Sequence, residues 1–217
     1  MSQQVENVVR IRVNKASIEG NLSMPAGAGG VVLFAHGSGS SRFSPRNRYV
    51  ADVLNKAGLA TLLIDLLTRA EEEIDMRTGQ LRFDIELLTE RLNGAAKWLK
   101  KNPRTMNQNL GIFGSSTGAA AALATAAKLS GDVAAVVSRG GRPDLAMEYL
   151  KDVKAPTLFI VGGRDAVVLD LNKTAMAQLA VEKRLEIVPG ASHLFEEPGK
   201  LEVVARLSAS WFLEHLK

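Results

Sequence analysis

Apolar and polar residues follow each other along this chain in two patterns, and each pattern predicts a different kind of strand. The opening segments 5–13 and 17–24 alternate roughly between apolar and polar residues, as antiparallel strands with one face in water do. The runs GVVLFA at 30–35 and LATLLID at 59–65 are continuously apolar, which is typical of strands covered on both faces. The chain therefore predicts a hairpin that leads into a buried sheet.

Apolar residues at helical spacing occur between the strands. The pattern predicts helices over 46–57, closed by Gly58, and over 83–100, ended by Pro103. Further strands are expected at 133–138, 156–161 and 185–188, and further helices at 144–150, 169–180 and 199–215. This alternation implies right-handed crossovers and a mostly parallel, doubly wound α/β sheet of about eight strands with helices on both faces. We expect a single domain that spans residues 1–217.

Residues 66–81 lack strong periodicity and carry an acidic run at 71–75. We interpret this segment as a long connection across the top of the sheet, because loops of this length are usually functional or mobile. Its acidic residues are expected to form a solvated face or the first turn of a short helix.

Composition narrows the classes of function. The 217 residues carry a net charge of +4, and the basic residues are scattered rather than gathered into a stripe, which argues against nucleic-acid binding. The chain has no cysteine, so disulfides, thiolate catalysis and zinc–thiolate sites are excluded. The amino terminus has neither a basic nor an apolar leader region, and no apolar stretch approaches about eighteen residues. We expect a cytoplasmic protein with no membrane partner.

The segment NLGIFGSSTGAAAALATAAK at 109–128 predicts a short strand, a turn and an alanine-rich helix. Gly114 and Gly118 lie two residues either side of Ser116, which is the G-x-S-x-G pattern of a nucleophile elbow. In such an elbow the serine hydroxyl projects above the sheet edge, and small flanking residues let two backbones approach closely. The alternative is a glycine-rich turn that only joins a strand to a helix. The strand and the helix that the motif requires are both present, which favours the elbow.

A serine hydroxyl is a weak nucleophile unless a base lies within hydrogen-bond reach and a third group orients that base. Among the three histidines, His193 directly follows the last predicted strand. His215 lies in the last predicted helix, and His36 opens the HGSG turn, where a structural role is expected. His193 is therefore the favoured base.

The orienting acid must be a carboxylate in another loop that follows a strand. Asp165 meets this requirement best, because Asp144 and Asp170 are explained as acids near the start of a helix. The order Ser, Asp, His along the chain also agrees with the G-x-S-x-G architecture. Two backbone amides, of Ser38 in the HGSG turn and of Thr117 after the serine, are placed to stabilise an oxyanion.

Three arginines follow strands or turns at the same predicted edge of the sheet. Arg139 and Arg142 come after the strand at 133–138, and Arg42 comes after the HGSG turn. One of them could bind an anionic substrate group bidentately, and the alternative is pairing with local acids. We name Arg139 and Arg42 as candidate substrate-binding residues for small acidic esters.

These motifs resemble the α/β-hydrolase superfamily, and within it the small dienelactone-hydrolase-like proteins that lack a cap domain. HGSGSS, GSSTG, SRGGRPDLA, GGRDAVVLDLN and GASHLFEEPG occur in the expected order over nearly the whole chain. The resemblance implies an α/β-hydrolase fold, a triad of Ser116, Asp165 and His193, and oxyanion amides from Ser38 and Thr117. Dienelactone hydrolases proper use a cysteine nucleophile, so the serine in this chain indicates a serine esterase.

The residues and the resemblance together predict a carboxylesterase-like serine hydrolase that cleaves small esters or lactones through an acyl-enzyme on Ser116. No metal and no organic cofactor are implied. Two alternatives stay open, an acyltransferase with the same triad and a non-catalytic binding or signalling protein on the same scaffold. The expected partner is a small-molecule ester or lactone, and the sequence is compatible with a homodimer.

Overall fold

The first two strands form the predicted antiparallel hairpin. In the computed structural model, which describes residues 6–217, these strands are β1 (Glu6–Val13) and β2 (Ala16–Ser23). Ile11 pairs with Ile18 across the hairpin, and both side chains are buried. Position 5, where the predicted strand begins, lies outside the described residues. The alternating pattern thus places the apolar face of the hairpin against the core.

Six further strands complete one sheet with the hairpin at its edge. They are β3 (Val31–Ala35), β4 (Ala60–Ile64), β5 (Leu110–Ser115), β6 (Val133–Arg139), β7 (Thr157–Gly162) and β8 (Lys183–Val188). The spatial order is β1-β2-β4-β3-β5-β6-β7-β8, and β3 to β8 run parallel to one another. Only the β1–β2 and β2–β4 pairs are antiparallel. The predicted mostly parallel sheet of eight strands is confirmed.

Helices cover both faces of this sheet. They are α1 (Pro45–Lys56), α2 (Arg69–Thr78), α3 (Ile85–Lys101), α4 (Thr117–Lys128), α5 (Ala166–Met176) and α6 (Lys200–His215). On one face Val32 and Phe34 pack with buried residues of α1 and α6, and on the other Val31 and Leu33 pack with α3, α4 and α5. The alternation along β3 therefore feeds two cores, as expected for a strand buried on both sides. This is the α/β-hydrolase fold, without a cap domain among the described residues.

Two segments differ in part from the predicted elements. Within the predicted connection, residues 69–78 form α2, and Glu71 and Glu72 lie in the first turn of this short helix, as expected. Thr68 and Glu71 make a capping box, and Gly79 ends the helix with φ of 66°. The predicted helix at 144–150 is a 3₁₀ segment, Pro143–Asp152, interrupted by non-helical backbone at Ala146. A second short 3₁₀ turn, Leu81–Phe83, joins α2 to α3.

The carboxyl ends of β3 to β8 meet along one edge of the sheet, which is where ligands bind in folds of this kind. The predicted functional residues follow these ends: Ser38 after β3, Ser116 after β5, Arg139 at the end of β6, Asp165 after β7 and His193 after β8. Within residues 6–217, no helix has the length and apolar character needed to cross a membrane.

Candidate active site

Ser116 occupies a strained turn between β5 and α4. Its φ of 52° and ψ of −122° are rare for a residue with a side chain, and such backbone persists where surrounding contacts enforce it. The Ser116 amide donates to the carbonyl of Arg139 at 3.2 Å, which ties the turn to β6. A Cβ on Gly118 would lie 2.4 Å from the carbonyl oxygen of His36. The elbow therefore packs its backbone directly on the turn after β3, as its glycine spacing predicts.

His193 and Asp165 meet although they follow different strands. Nδ1 of His193 lies 2.7 Å from Oδ2 of Asp165. Because a carboxylate only accepts hydrogen bonds, this contact places a proton on Nδ1 and leaves Nε2 free to act as a base. The structure thus brings together the predicted base and the predicted acid.

The loops that carry this pair are held against each other by backbone contacts. A Cβ on Gly162 would lie 2.5 Å from the carbonyl oxygens of Ala191 and Ser192, so only glycine lets the end of β7 approach the His193 loop so closely. The Ser192 amide donates to both carboxylate oxygens of Glu197, at 3.0 and 3.1 Å. Glu197 also lies 3.5 Å from the guanidinium of Arg164, the residue before Asp165. One carboxylate therefore contacts residues next to both His193 and Asp165.

Ser116 and His193 line a common cleft of about 190 Å³, which we call the serine cleft. Ser38, Arg46 and Arg139 also line it. Gly140 lies beside the imidazole, because a Cβ at that position would be 3.4 Å from Nδ1 and Cε1 of His193. Since the Ser116 amide donates a hydrogen bond to the neighbouring carbonyl of Arg139, the end of β6 links the elbow to the histidine.

The two predicted oxyanion donors lie on the turns that pack together. A Cβ on Gly37 would be 3.0 Å from Cβ of Ser116, which sets the HGSG turn against the elbow. Thr117 is the first residue of α4, so its amide has no partner within the helix. Among residues 6–217, the backbone amides of Ser38 and Thr117 donate no backbone hydrogen bond outside the regular helices and strands. Both amides are therefore available to a substrate oxygen.

His36 stabilises the HGSG turn through contacts of both its ring nitrogens. Its Nε2 accepts the Leu66 amide at 3.1 Å, and Nδ1 lies 2.9 Å from the Gly37 carbonyl. Because an amide can only donate, the ring is neutral with its proton on Nδ1. Burial lowers the pKa of His36 below its usual range and outweighs the nearby carboxylates of Asp65 and Glu72. This neutral imidazole connects the turn after β3 to the end of β4.

Arg139 is a buried cation that opens onto the serine cleft. It is 7% exposed, and its Nε and Nη1 atoms have no hydrogen-bond partner among the described residues. Its Cζ lies 5.8 Å from the centre of the Phe195 ring. Burial and the positive charge of Arg46 lower the pKa of Arg139 to about 10, so it stays charged at neutral pH. An unpaired buried charge is costly, and an anionic ligand would offset that cost.

The other predicted arginines are already paired. Arg42 binds Asp65 through its guanidinium and its amide, and its Nη2 lies 2.7 Å from Glu19. It does not line the serine cleft, so the geometry gives no support to the expected substrate-binding role of Arg42. Arg142 makes two bonds of 2.8 Å to Asp144.

Arg46 also lines the serine cleft, and the sequence analysis did not predict this position. It lies in the first turn of α1, and its Nη1 is 2.8 Å from Glu196 in the loop after β8. Its sequence signal was the Ser44 cap followed by Pro45, which starts a helix directly after the HGSG turn.

A family model described as the dienelactone hydrolase family matches residues 18–211. The chain belongs to the dienelactone hydrolase family. A dienelactone hydrolase from Anabaena variabilis ATCC 29413, known from a crystal structure, is 60% identical and covers 99% of this chain and 100% of its own, with a TM-score of 0.98. Family membership supports a hydrolase.

Two other comparisons add to this picture. Two Mycobacterium tuberculosis proteins, both named "Putative phosphoribosyl transferase", are 55% identical over 208 residues, which is 96% of this chain and 46% of theirs. The chain therefore spans about half the length of these curated relatives. Est1E from Butyrivibrio proteoclasticus is 15% identical, with a TM-score of 0.81 over 96% of this chain and 98% of its own, and shares the fold.

Proposed function

We propose that this member of the dienelactone hydrolase family is a serine hydrolase that cleaves small esters or lactones through an acyl-enzyme on Ser116. The observation that carries the proposal is the 2.7 Å contact between His193 and Asp165 in a cleft that Ser116 also lines. The strained elbow at Ser116 and the free amides of Ser38 and Thr117 support it further.

In the proposed reaction, Oγ of Ser116 attacks the carbonyl carbon while Nε2 of His193 takes the hydroxyl proton. A bond forms between Oγ and carbon, and the carbonyl electron pair moves onto the oxygen, where the amides of Ser38 and Thr117 stabilise the charge. Collapse expels the alkoxide, which receives the proton from His193. Water then attacks the carbonyl carbon of the acyl-enzyme while His193 takes one of its protons. The bond to Oγ of Ser116 breaks, Oγ regains the proton from His193, and the acid is released. Asp165 stabilises the imidazolium in both halves.

The proposal includes a preference for esters that carry an anionic group. Arg139 supplies an uncompensated guanidinium next to His193 and Ser116, whereas the charge of Arg46 is paired with Glu196. A carboxylate or phosphate on the substrate would be attracted to this guanidinium, which lines the cleft.

Hydrolysis of an activated ester such as p-nitrophenyl acetate tests the assignment of the nucleophile. Ser116→Ala is expected to reduce kcat by a factor on the order of 10³ or more. Ser208→Ala is the control, because this serine is buried in α6, does not line the serine cleft, and donates its hydroxyl to the carbonyl of Val204. Equal losses in both variants would contradict the role of Ser116.

A further inference from the structure

A second cavity, which we call the α2 cavity, lies on the other side of the HGSG turn from the serine cleft. Its volume is about 270 Å³, below the range of pockets that hold a whole drug-sized ligand. Ser38 and Thr117 line it, so it opens at the position of the proposed oxyanion. The cavity can therefore hold one part of a substrate whose carbonyl sits at Ser116.

The wall of the α2 cavity has an apolar part, and ion pairs support its roof. Leu66, Leu67, Met76 and Leu88 line it, and Met76 is 69% exposed at its rim. Two ion pairs hold the roof formed by α2: Nε of Arg82 lies 2.6 Å from Asp75, and Nη2 of Arg91 lies 2.6 Å from Glu71. Both pairs join α2 to the chain that follows it and so hold the roof of the cavity in place.

Charge distinguishes the α2 cavity from the serine cleft. Three carboxylates line it, but Asp65 is paired with Arg42 and Asp75 with Arg82. Glu72 has no ion-pair partner among residues 6–217. The α2 cavity is therefore net negative at its rim, whereas the serine cleft carries the unpaired cation of Arg139. An anionic group is attracted to one side of the HGSG turn and repelled from the other.

The chemistry of the proposed reaction decides which half of an ester each side receives. His193 must protonate the departing oxygen, so the alcohol half has to lie on the side of His193, in the serine cleft. The acyl half then points away from the imidazole, past the amides of Ser38 and Thr117. Resting on the proposed serine hydrolase, we propose that the α2 cavity is the acyl subsite and accepts uncharged, short acyl groups. The anionic group of the substrate accordingly belongs to the alcohol half, beside Arg139.

A chain-length experiment tests the acyl subsite. Purified protein is assayed on p-nitrophenyl acetate, butyrate, hexanoate and decanoate, and on methyl, butyl and hexyl acetates. Met76→Trp is expected to lower kcat/KM for the longer acyl chains about tenfold relative to acetate, while the ratios within the alcohol series stay those of the native protein. Met106→Trp is the matched control, because Met106 is 48% exposed and lies between α3 and β5, where the parallel strands begin and away from their carboxyl ends.

A charge experiment provides a second variant that does not alter the volume of the cavity. Glu72→Gln is expected to raise kcat/KM about threefold for an ester whose acyl chain ends in a carboxylate, and to leave the neutral butyrate unchanged. Glu73→Gln, the next residue of α2, is the control, because Glu73 is paired with Arg69 and does not line the cavity.

The outcomes separate the subsite from the reaction. If Met76→Trp changes the alcohol series instead of the acyl series, or if neither Met76→Trp nor Glu72→Gln changes any profile, the acyl assignment is wrong while the hydrolase stands. If the native protein hydrolyses none of these esters, the proposed function fails and the subsite fails with it.

Discussion

Oδ2 of Asp165 lies 2.7 Å from Nδ1 of His193, across the ends of the neighbouring parallel strands β7 and β8. The contact does two things: it fixes the imidazole tautomer, and it holds Nε2 free on the side away from the carboxylate. The glycine at 162 makes the contact attainable, since any side chain there would meet the backbone of residues 191 and 192.

Asp165→Asn is expected to lower kcat on an activated ester by a factor on the order of 10³ to 10⁴, because the amide favours the wrong imidazole tautomer. His193→Ala should cause a loss of similar size, and the double variant should be little worse than either single one. Steady-state kinetics with thermal unfolding as a folding check provide the measurement. Asp170→Asn is the control, since this exposed acid contacts Lys173 instead. A loss for Asp170→Asn as large as that for Asp165→Asn would refute the assignment.

Arg139→Met is expected to affect stability and selectivity in opposite directions. Removal of an unpaired buried charge should raise the free energy of unfolding by roughly 1–3 kcal/mol. The same change should abolish any preference for an ester with a carboxylate on its alcohol half over a neutral ester. Urea unfolding and paired substrate assays measure the two effects. Arg142→Met serves as control, because Arg142 is bonded to Asp144 and is partly exposed. Equal losses on both substrates would exclude anion recognition by Arg139.

His36 makes a pH-dependent contribution to stability. Its pKa is lowered by burial, so the unfolded chain takes up a proton near the ordinary value of about 6.5 while the folded chain stays neutral. The stabilisation is present above that pH and is lost progressively as the pH falls below it. The free energy of unfolding of the native protein, compared with His36→Asn, should therefore differ most above about pH 6.5 and converge at lower pH. A difference that does not change with pH would contradict a neutral His36.

Most of the fold could be predicted because its strands are alternating or continuously apolar segments that are separated by helical patterns. Of α2 the sequence indicated only the first turn of a short helix, because the rest has an inverted pattern: Ile74 and Met76 are exposed, and its buried residue is Asp75. A helix that covers a cavity instead of the core gives no apolar periodicity. Its available sequence signals were the Thr68 and Glu71 capping box and Gly79.

Some of the site residues could be predicted from the sequence, and others could not. Ser116, Asp165 and His193 follow strand ends, so topology alone predicts their common edge. Arg42 and Arg139 both follow a strand or turn in the sequence, but Asp65 and Glu19 neutralise Arg42, and only Arg139 lines the serine cleft. Such long-range ion pairs depend on how the folded chain packs, so no local sequence pattern indicates them.

Covalent labelling tests the central claim most directly. The native protein is treated with a fluorophosphonate probe, and its intact mass is compared with that of Ser116→Ala treated in the same way. A nucleophilic Ser116 predicts one adduct on the native protein, located at Ser116 by peptide mapping, and none on the variant. An unmodified native protein, or an equally labelled Ser116→Ala variant, would contradict a nucleophilic serine at this elbow.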